Sequence, residues 1–375
     1  MSNVYERLGV AVGVNAAGTK TRYGGIRMDP RVWAAMEEAS NYFVDIKNLN
    51  DAIGRRIATL AHAEAAVVTS GAASGVVLAV AGALSRANNA LPSSYPLGEG
   101  KKRKIVIQKL HRGNYTNIIR IPGAELVEVG NVTDCSADEL VDAISPDVVG
   151  LFFVEAPRLS RSGVSIENCI DIAHDHGLPI IVDAAPSLPP KSNLWKFVDL
   201  GADAVIFSGG KIIGGPQNTG FVVGTHDMVA AMSAHMSPEY GVGRPHKVSK
   251  EVLVGLDTAI YLYMEQDENQ QLTELARRLQ PLLEAVASTG LRASIEHDGQ
   301  FYNVPTLVVF LGDNHSLGNK IVNQLAMASP PIFTQYFKDL GHLSINPVNI
   351  SSDEIFYIHE RLIDVLGHSV SGRWD

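Results

Sequence analysis

The sequence predicts an α/β protein: a mostly parallel seven-stranded sheet between helices, followed by a smaller α+β domain. Three observations predict it. From about residue 64, short continuous Val/Ile runs alternate with helical segments, and such runs mark strands buried on both faces. Around Ser249 the texture changes to a long helical stretch and then to shorter strands. The length, 375 residues with 46% hydrophobic and 19% charged, suits one large and one smaller domain.

In order, strands are expected at Ala66–Thr69, Lys104–Gln108, Glu125–Val129, Val148–Val154, Pro179–Val182, Ala204–Phe207 and Gly220–Val223. Helices are expected at Ala73–Arg86, Asn114–Ile121, Ser136–Ile144 and Ile166–His176. Ser136 with Glu139 three residues on reads as a capping box, and Gly177 as a helix stop. A helical stretch through roughly Ser288 leads to strands near Arg292–Glu296, Thr306–Phe310, Ile332–Gln335 and His342–Ile345. A terminal helix, Ser352–Leu366, closes the pattern. The expected domains are an N-terminal arm over 1–50, a large ligand-binding domain over 51–258 and a small domain over 259–375.

A formal net charge of −9 argues against a general nucleic-acid surface, which needs clustered Lys and Arg. The basic run Lys101–Lys104 follows a Pro/Ser/Gly stretch, Leu91–Gly100, and reads as a solvated insert. Cys135 and Cys169 lack metal-ligand spacing, so no metal is expected and both read as reduced thiols of a cytoplasmic protein. The start, Met1-Ser2-Asn3-Val4, lacks a signal-peptide pattern. The apolar stretch Val67–Leu84 is interrupted by Thr69-Ser70-Gly71 and Gly75, which suits a strand, turn and helix better than a membrane span.

Three motifs carry chemistry. In Phe207-Ser208-Gly209-Gly210-Lys211 a strand ends and a lysine emerges from a glycine turn, where backbone can approach a ligand closely. A desolvated ammonium has a lowered pKa and can act as a Schiff-base nucleophile; the bland alternative is a surface lysine in a loop. In Ile180-Ile181-Val182-Asp183 an acid ends a buried strand, where open α/β sheets bind ligands; the alternative is a helix N-cap. Lys211 follows Asp183 by 28 residues, past the next strand. In Thr69-Ser70-Gly71-Ala72-Ala73-Ser74-Gly75 small residues join a strand to a helix, whose N-terminus favours an anion such as phosphate; many turns look alike, so this motif is weak alone. An amine nucleophile with a strand-end carboxylate is the pairing that pyridoxal 5'-phosphate (PLP) requires, because its ring nitrogen must stay protonated.

Taken in this order, the motifs resemble fold-type I PLP enzymes, and more narrowly the group of selenocysteine synthase (seryl-tRNA selenium transferase) and D-glucosaminate-6-phosphate ammonia-lyase. The matching stretches include Val14–Thr19, Thr69–Gly75, Val182–Ala185, Phe207–Gln217 and Gly241-Val242-Gly243-Arg244-Pro245. The resemblance covers roughly residues 8–260 well and the rest loosely. It implies that Lys211 holds PLP as a Schiff base, that Asp183 pairs with the ring nitrogen, and that Ser70, Gly71, Ala72 and Ser208 hold the phosphate. It implies a His or aromatic cover for the ring, with His111 preferred over Tyr115; a loop histidine capping a helix is the alternative. Glu155 ends another strand and either meets the cofactor or substrate or caps a turn. Arg244 is the expected clamp for a substrate anion, with Arg22, Arg112 and Arg158 as rivals that equally suit surface ion pairs.

The reaction implied is Cα deprotonation by Lys211 and β-elimination from a hydroxylated amino acid or amino-sugar acid, releasing ammonia and a 2-keto acid. A racemase or epimerase is the runner-up, ahead of aldol cleavage. A tRNA-directed transferase is disfavoured by the charge and by the short segment before Asn15. The resemblance also implies a homodimer or larger homo-oligomer with shared sites, and the Asn15–Met28 and Gly241–Lys247 loops are candidates to serve a neighbour.

Overall fold

The computed structural model describes residues 3–96, 101–155, 163–299 and 301–371, except the side chains of 368–371. The chain divides into two compact units, Met28–Glu265 and Met1–Arg27 with Gln266–Asp375. The described strands are β1 (Val14–Asn15), β2 (Ala65–Thr69), β3 (Lys104–Gln108), β4 (Glu125–Val129), β5 (Val148–Val154), β6 (Ile180–Asp183) and β7 (Ala204–Ser208). They continue with β8 (Gly220–Gly224), β9 (Ala293–Glu296), β10 (Thr306–Phe310), β11 (Ile332–Phe333), β12 (Gln335–Phe337) and β13 (His342–Ile345).

In the larger unit seven strands form one sheet in the order β2-β8-β7-β6-β5-β3-β4. Five neighbours from β7 to β4 are parallel; β8 runs antiparallel to both β7 and β2. Alternate residues of one strand enter different cores: Val182 and Val205 pack with Ile57, Phe197 and Leu256, while Ile181 and Ile206 pack with Leu78, Val80 and Met232. Burial on both faces explains the unbroken apolar runs.

The helix Gly71–Asn88 is buried from Ser74 through Leu84, consistent with its apolar residues on every side. Among the described residues no helix is long and apolar enough to cross a membrane. The helix Pro30–Ser40, opened by Asp29 accepting the Arg31 N–H at 2.8 Å, belongs to this unit and packs on Lys250–Glu265: a Cβ at Gly255 would meet Met36 Cγ at 2.8 Å.

The smaller unit has a four-stranded antiparallel sheet, β12-β13-β10-β9, and a parallel pair, β1 with β11. Leu279, Leu282, Leu307, Val309, Ile345 and Ile358 form its core against the helices Glu268–Ser288 and Ser352–Ser371.

Three expectations are refined. The helical stretch from Ser249 is two helices, Lys250–Glu265 and Glu268–Ser288, because Asp267 caps the second by accepting the Gln270 N–H at 3.0 Å. Ile332–Gln335 is split between β11 and β12, which join different sheets. Asn114–Ile121 is a short 3-10 turn, Thr116–Arg120, rather than an α-helix.

Candidate active site

The parallel strands and β2 all deliver their C-terminal ends to one edge of the sheet, which is where ligands bind in open α/β folds. Ser70 follows β2, His111 follows β3, Glu155 follows β5, Asp183 ends β6, and Ser208 ends β7 three residues before Lys211. Thr69, Gly220 and Ser208 stand in one row across β2, β8 and β7. With strands about 4.8 Å apart, Thr69 and Ser208 are roughly 10 Å from each other. The middle of that row must be glycine: a Cβ at Gly220 would lie 2.5 Å from the Ala72 nitrogen.

This row makes a cradle. Ser70 stands at the N-cap of Gly71–Asn88 yet bonds no helical N–H, and neither its hydroxyl nor that of Ser208 has a partner among the described residues. The helix's first N–H groups are orphans by construction. Gly71 takes φ +81°, and open space lies where its Cβ would be. Two free hydroxyls beside a helix N-terminus match the acceptor oxygens and charge of a phosphate.

Lys211 leaves a turn closed by Gly209 N–H to Thr219 O at 3.0 Å and Gly214 N–H to Lys211 O at 2.9 Å. A Cβ at Gly210 would meet Gln217 Cα at 2.5 Å, so the turn tolerates no side chain there. The Lys211 ammonium makes no hydrogen bond or ion pair among the described residues. Burial holds its pKa below the usual lysine value, and the Asp183 charge opposes that shift. Burial raises the pKa of Asp183, against the Ala185 N–H donated at 3.1 Å and the charge of Lys211. One Asp183 oxygen accepts that N–H; the other accepts none among the described residues. A protonated pyridine nitrogen is the donor that this second oxygen lacks, so the residues present fit PLP.

His111 ends a short 3-10 turn and is only 2% exposed. Its Nδ1 accepts the Val154 N–H at 3.4 Å, and its ring meets Phe153 edge-on at 4.4 Å. Burial pushes its pKa down to about 4, so it is neutral at pH 7. Glu155 donates its backbone N–H to Asp183 O at 2.9 Å, and burial raises its carboxyl pKa.

The other expected residues have surroundings of their own. Arg112 is exposed, 3.4 Å from Glu128, and Tyr115 is 66% exposed. Arg22 belongs to the smaller unit and lies over the Tyr23 ring. Arg158 lies outside the described residues, as do residues 97–100 of the basic insert. Arg244 is exposed on a loop that returns to helix Gly71–Asn88, where His246 Nδ1 and Ser74 Oγ share a 3.1 Å hydrogen bond. Sequence reasoning missed Gly220 and Gln108. The buried Gln108 amide grips Val164 at both ends, donating to its O at 2.9 Å and accepting its N–H at 2.8 Å. A glycine opening a Val-rich strand was the available signal for the first; Gln108, inside an apolar strand, was the signal for the second.

Fold and site together define a fold-type I PLP-dependent enzyme, with a lysine, a strand-end aspartate and a small-residue turn at a helix N-terminus on one sheet edge. The family described as SelA, L-seryl-tRNA selenium transferase, matches residues 30–296, and the chain belongs to that family. It is 31% identical to a 5'-C-glycyluridine monooxygenase-decarboxylase of Streptomyces sp, over 96% of this chain and 92% of that protein. It is 30% identical to D-glucosaminate-6-phosphate ammonia lyase of Salmonella typhimurium, over 98% of this chain and 99% of that one. A solved structure of D-glucosaminate-6-phosphate ammonia-lyase superimposes with a TM-score of 0.84, at 30% identity over 98% of this chain and 99% of that one. Serine palmitoyltransferase of Sphingomonas wittichii shares the fold, with a TM-score of 0.63 at 15% identity over 96% of this chain and 88% of that one.

Proposed function

We propose that this enzyme is an ammonia-lyase that removes the Cα proton of a hydroxylated amino acid or amino-sugar acid, expels the β-hydroxyl, and yields a 2-keto acid and ammonia. What carries the reading is the isolated Lys211 amine set against Asp183 on a chain 30% identical, end to end, to an ammonia lyase.

Bound PLP supplies an electron sink that acidifies the Cα–H of a condensed amino acid. Lys211, whose pKa burial lowers, is then a competent base at Nζ for that proton. Asp183 keeps the ring nitrogen protonated through its unshared oxygen. Ser70, Gly71, Ala72 and Ser208 hold the phosphate, and His111 covers the ring as a neutral side chain. Glu155, whose carboxyl pKa burial raises, meets the cofactor or substrate in this reading and serves as the proton donor to the leaving hydroxyl. Arg244 grips a substrate anion, with Arg112 as the rival. The same reading takes the protein as a cytoplasmic homodimer or larger homo-oligomer acting on a small molecule, with neither nucleic acid nor membrane as partner. The net charge of −9 speaks against tRNA.

A second reading, oxygen-dependent decarboxylation, draws on the 31% likeness to the glycyluridine enzyme. The deciding experiment incubates PLP-loaded protein with D-glucosaminate 6-phosphate and with β-hydroxy amino acids, with and without oxygen. Equal ammonia and keto acid without oxygen are expected. Carbon dioxide formed only with oxygen favours the second reading, and loss of optical activity without ammonia favours a racemase.

A further inference from the structure

Ser74 and Ser85 of helix Gly71–Asn88 fall on one face, because Ser85 follows Ser74 by three turns, and the cradle serine, Ser70, is the N-cap ahead of them. Ser74 and Ser85 are engaged by histidines from a single segment. His246 Nδ1 and Ser74 Oγ lie 3.1 Å apart, and His235 Nε2 and Ser85 Oγ lie 2.6 Å apart. Tyr95 strengthens the second contact: its hydroxyl lies 2.9 Å from Ser85 Oγ, and its ring meets His235 edge-on at 4.5 Å.

Between the two histidines the backbone is tied down as well. Gly243 N–H donates to His235 O at 2.9 Å, and His246 N–H donates to Gly243 O at 2.9 Å. A Cβ at Gly243 would lie 2.6 Å from Leu78 Cδ2, so the loop presses on the helix between the serines. Its tip is free by contrast. Tyr240 is 84% exposed, and Arg244 lies 5.9 Å over its ring with no ion pair among the described residues.

We propose that His235 and His246 are positioning residues. They staple the loop bearing Arg244 onto helix Gly71–Asn88, so that the helix opening the phosphate cradle also sets where the guanidinium stands. A guanidinium fixed at its root and free at its tip is preorganised to receive an anion, which avoids ordering the loop at the moment of binding. The role given to Arg244 rests on the substrate reading above; the staple itself does not.

Two measurements separate those claims. Hydrogen exchange on the PLP-loaded enzyme reads the staple directly: His246→Ala and Ser74→Ala are each expected to speed exchange of amides 241–247 about tenfold, whereas Arg244→Ala leaves it unchanged. Unchanged exchange in both staple variants overturns the proposal, whatever reaction the enzyme catalyses. The second measurement is the Kd of D-glucosaminate 6-phosphate, read from the visible band of the bound cofactor and independent of turnover. His246→Ala is expected to weaken binding about tenfold, His246→Asn to recover most of the loss, and Arg244→Ala/His246→Ala to bind no worse than Arg244→Ala. A His246 effect that persists in full without Arg244 overturns the positioning role. Arg244→Ala that binds as tightly as wild type overturns the clamp, and with it the purpose assigned to the staple. No ammonia from any substrate, with these binding and exchange results intact, defeats the lyase reading alone.

Discussion

The carboxylate of Asp183 and the ammonium of Lys211 attract each other while desolvation drives both toward neutrality. A buried charge is costly to a free protein, and a ligand that pairs with it offsets that cost. Lys211→Ala is therefore expected to abolish the visible absorbance of the loaded enzyme and to lower turnover by at least about 10²-fold, the scale of one general base. The folded pKa of Lys211 lies below 10.5, so the unfolded chain binds more protons between those values and stability rises with pH across that window. The variant should lose that rise, and its cofactor-free melting temperature should be no lower than wild type at pH 8. A clearly lower one would mean that the amine stabilises the fold.

Asp183→Asn keeps the shape and removes the charge. Because Asp183 raises the pKa of Lys211, the amine should titrate still lower in the variant. The sign for Asp183 itself is the opposite: its folded pKa is raised above 3.8, so stability falls as pH rises from there through the raised value. The variant should flatten that fall in cofactor-free protein. Turnover should drop by about 10²-fold or more, since an amide cannot keep the ring nitrogen charged. Near wild-type turnover would remove Asp183 from the cofactor.

Much of this was legible before any coordinates. Lys104–Gln108 and Val148–Val154 are strands with the expected bounds, because continuous burial leaves a continuous apolar run; Glu125–Val129, an edge strand buried only at Val129, also has the expected bounds. The capping box at Ser136 and Glu139 is also present, since both of its hydrogen bonds are local. Helix Ile46–Leu60 went unread: its buried residues, Ile53, Gly54, Ile57 and Ala58, are spread among polar ones. The reversed direction of β8 is set by its partners and leaves no mark on the strand itself. At the site, Lys211, Asp183 and Ser70 announce themselves at strand ends. His235 and His246 do not, because their importance lies in serines some 150 and 172 positions away.

His111 gives a prediction with a defined pH window. Its folded pKa of about 4 lies below the unfolded value of 6.5, so its contribution to stability is present above pH 6.5 and is lost as pH falls toward 4. The loss is bounded at about 3 kcal/mol by 1.36 kcal/mol for each pKa unit. His235, also held at about 4 by burial, has the same sign. Urea midpoints of cofactor-free protein at pH 7.5 and 5 should therefore differ, and the difference should shrink in His111→Gln. An equal difference in both proteins would mean that His111 is protonated in the fold.

The cradle makes the sharpest separation between binding and folding. Ser70→Ala and Ser208→Ala remove hydroxyls that hold no other partner among the described residues, so neither should lower cofactor-free stability by more than about 0.5 kcal/mol. Each should weaken PLP binding by about 1.5–3 kcal/mol, the worth of a hydrogen bond to a charged group, or roughly 10- to 100-fold in Kd. Gly220→Ala should behave differently. Its Cβ would sit 2.5 Å from the Ala72 nitrogen, so the helix start must retreat, and the fold should lose about 1–3 kcal/mol along with affinity. Denaturant melts and PLP titrations of the three variants give the answer. Serine variants that destabilise the free protein as much as Gly220→Ala would make this turn a structural joint rather than an anion site.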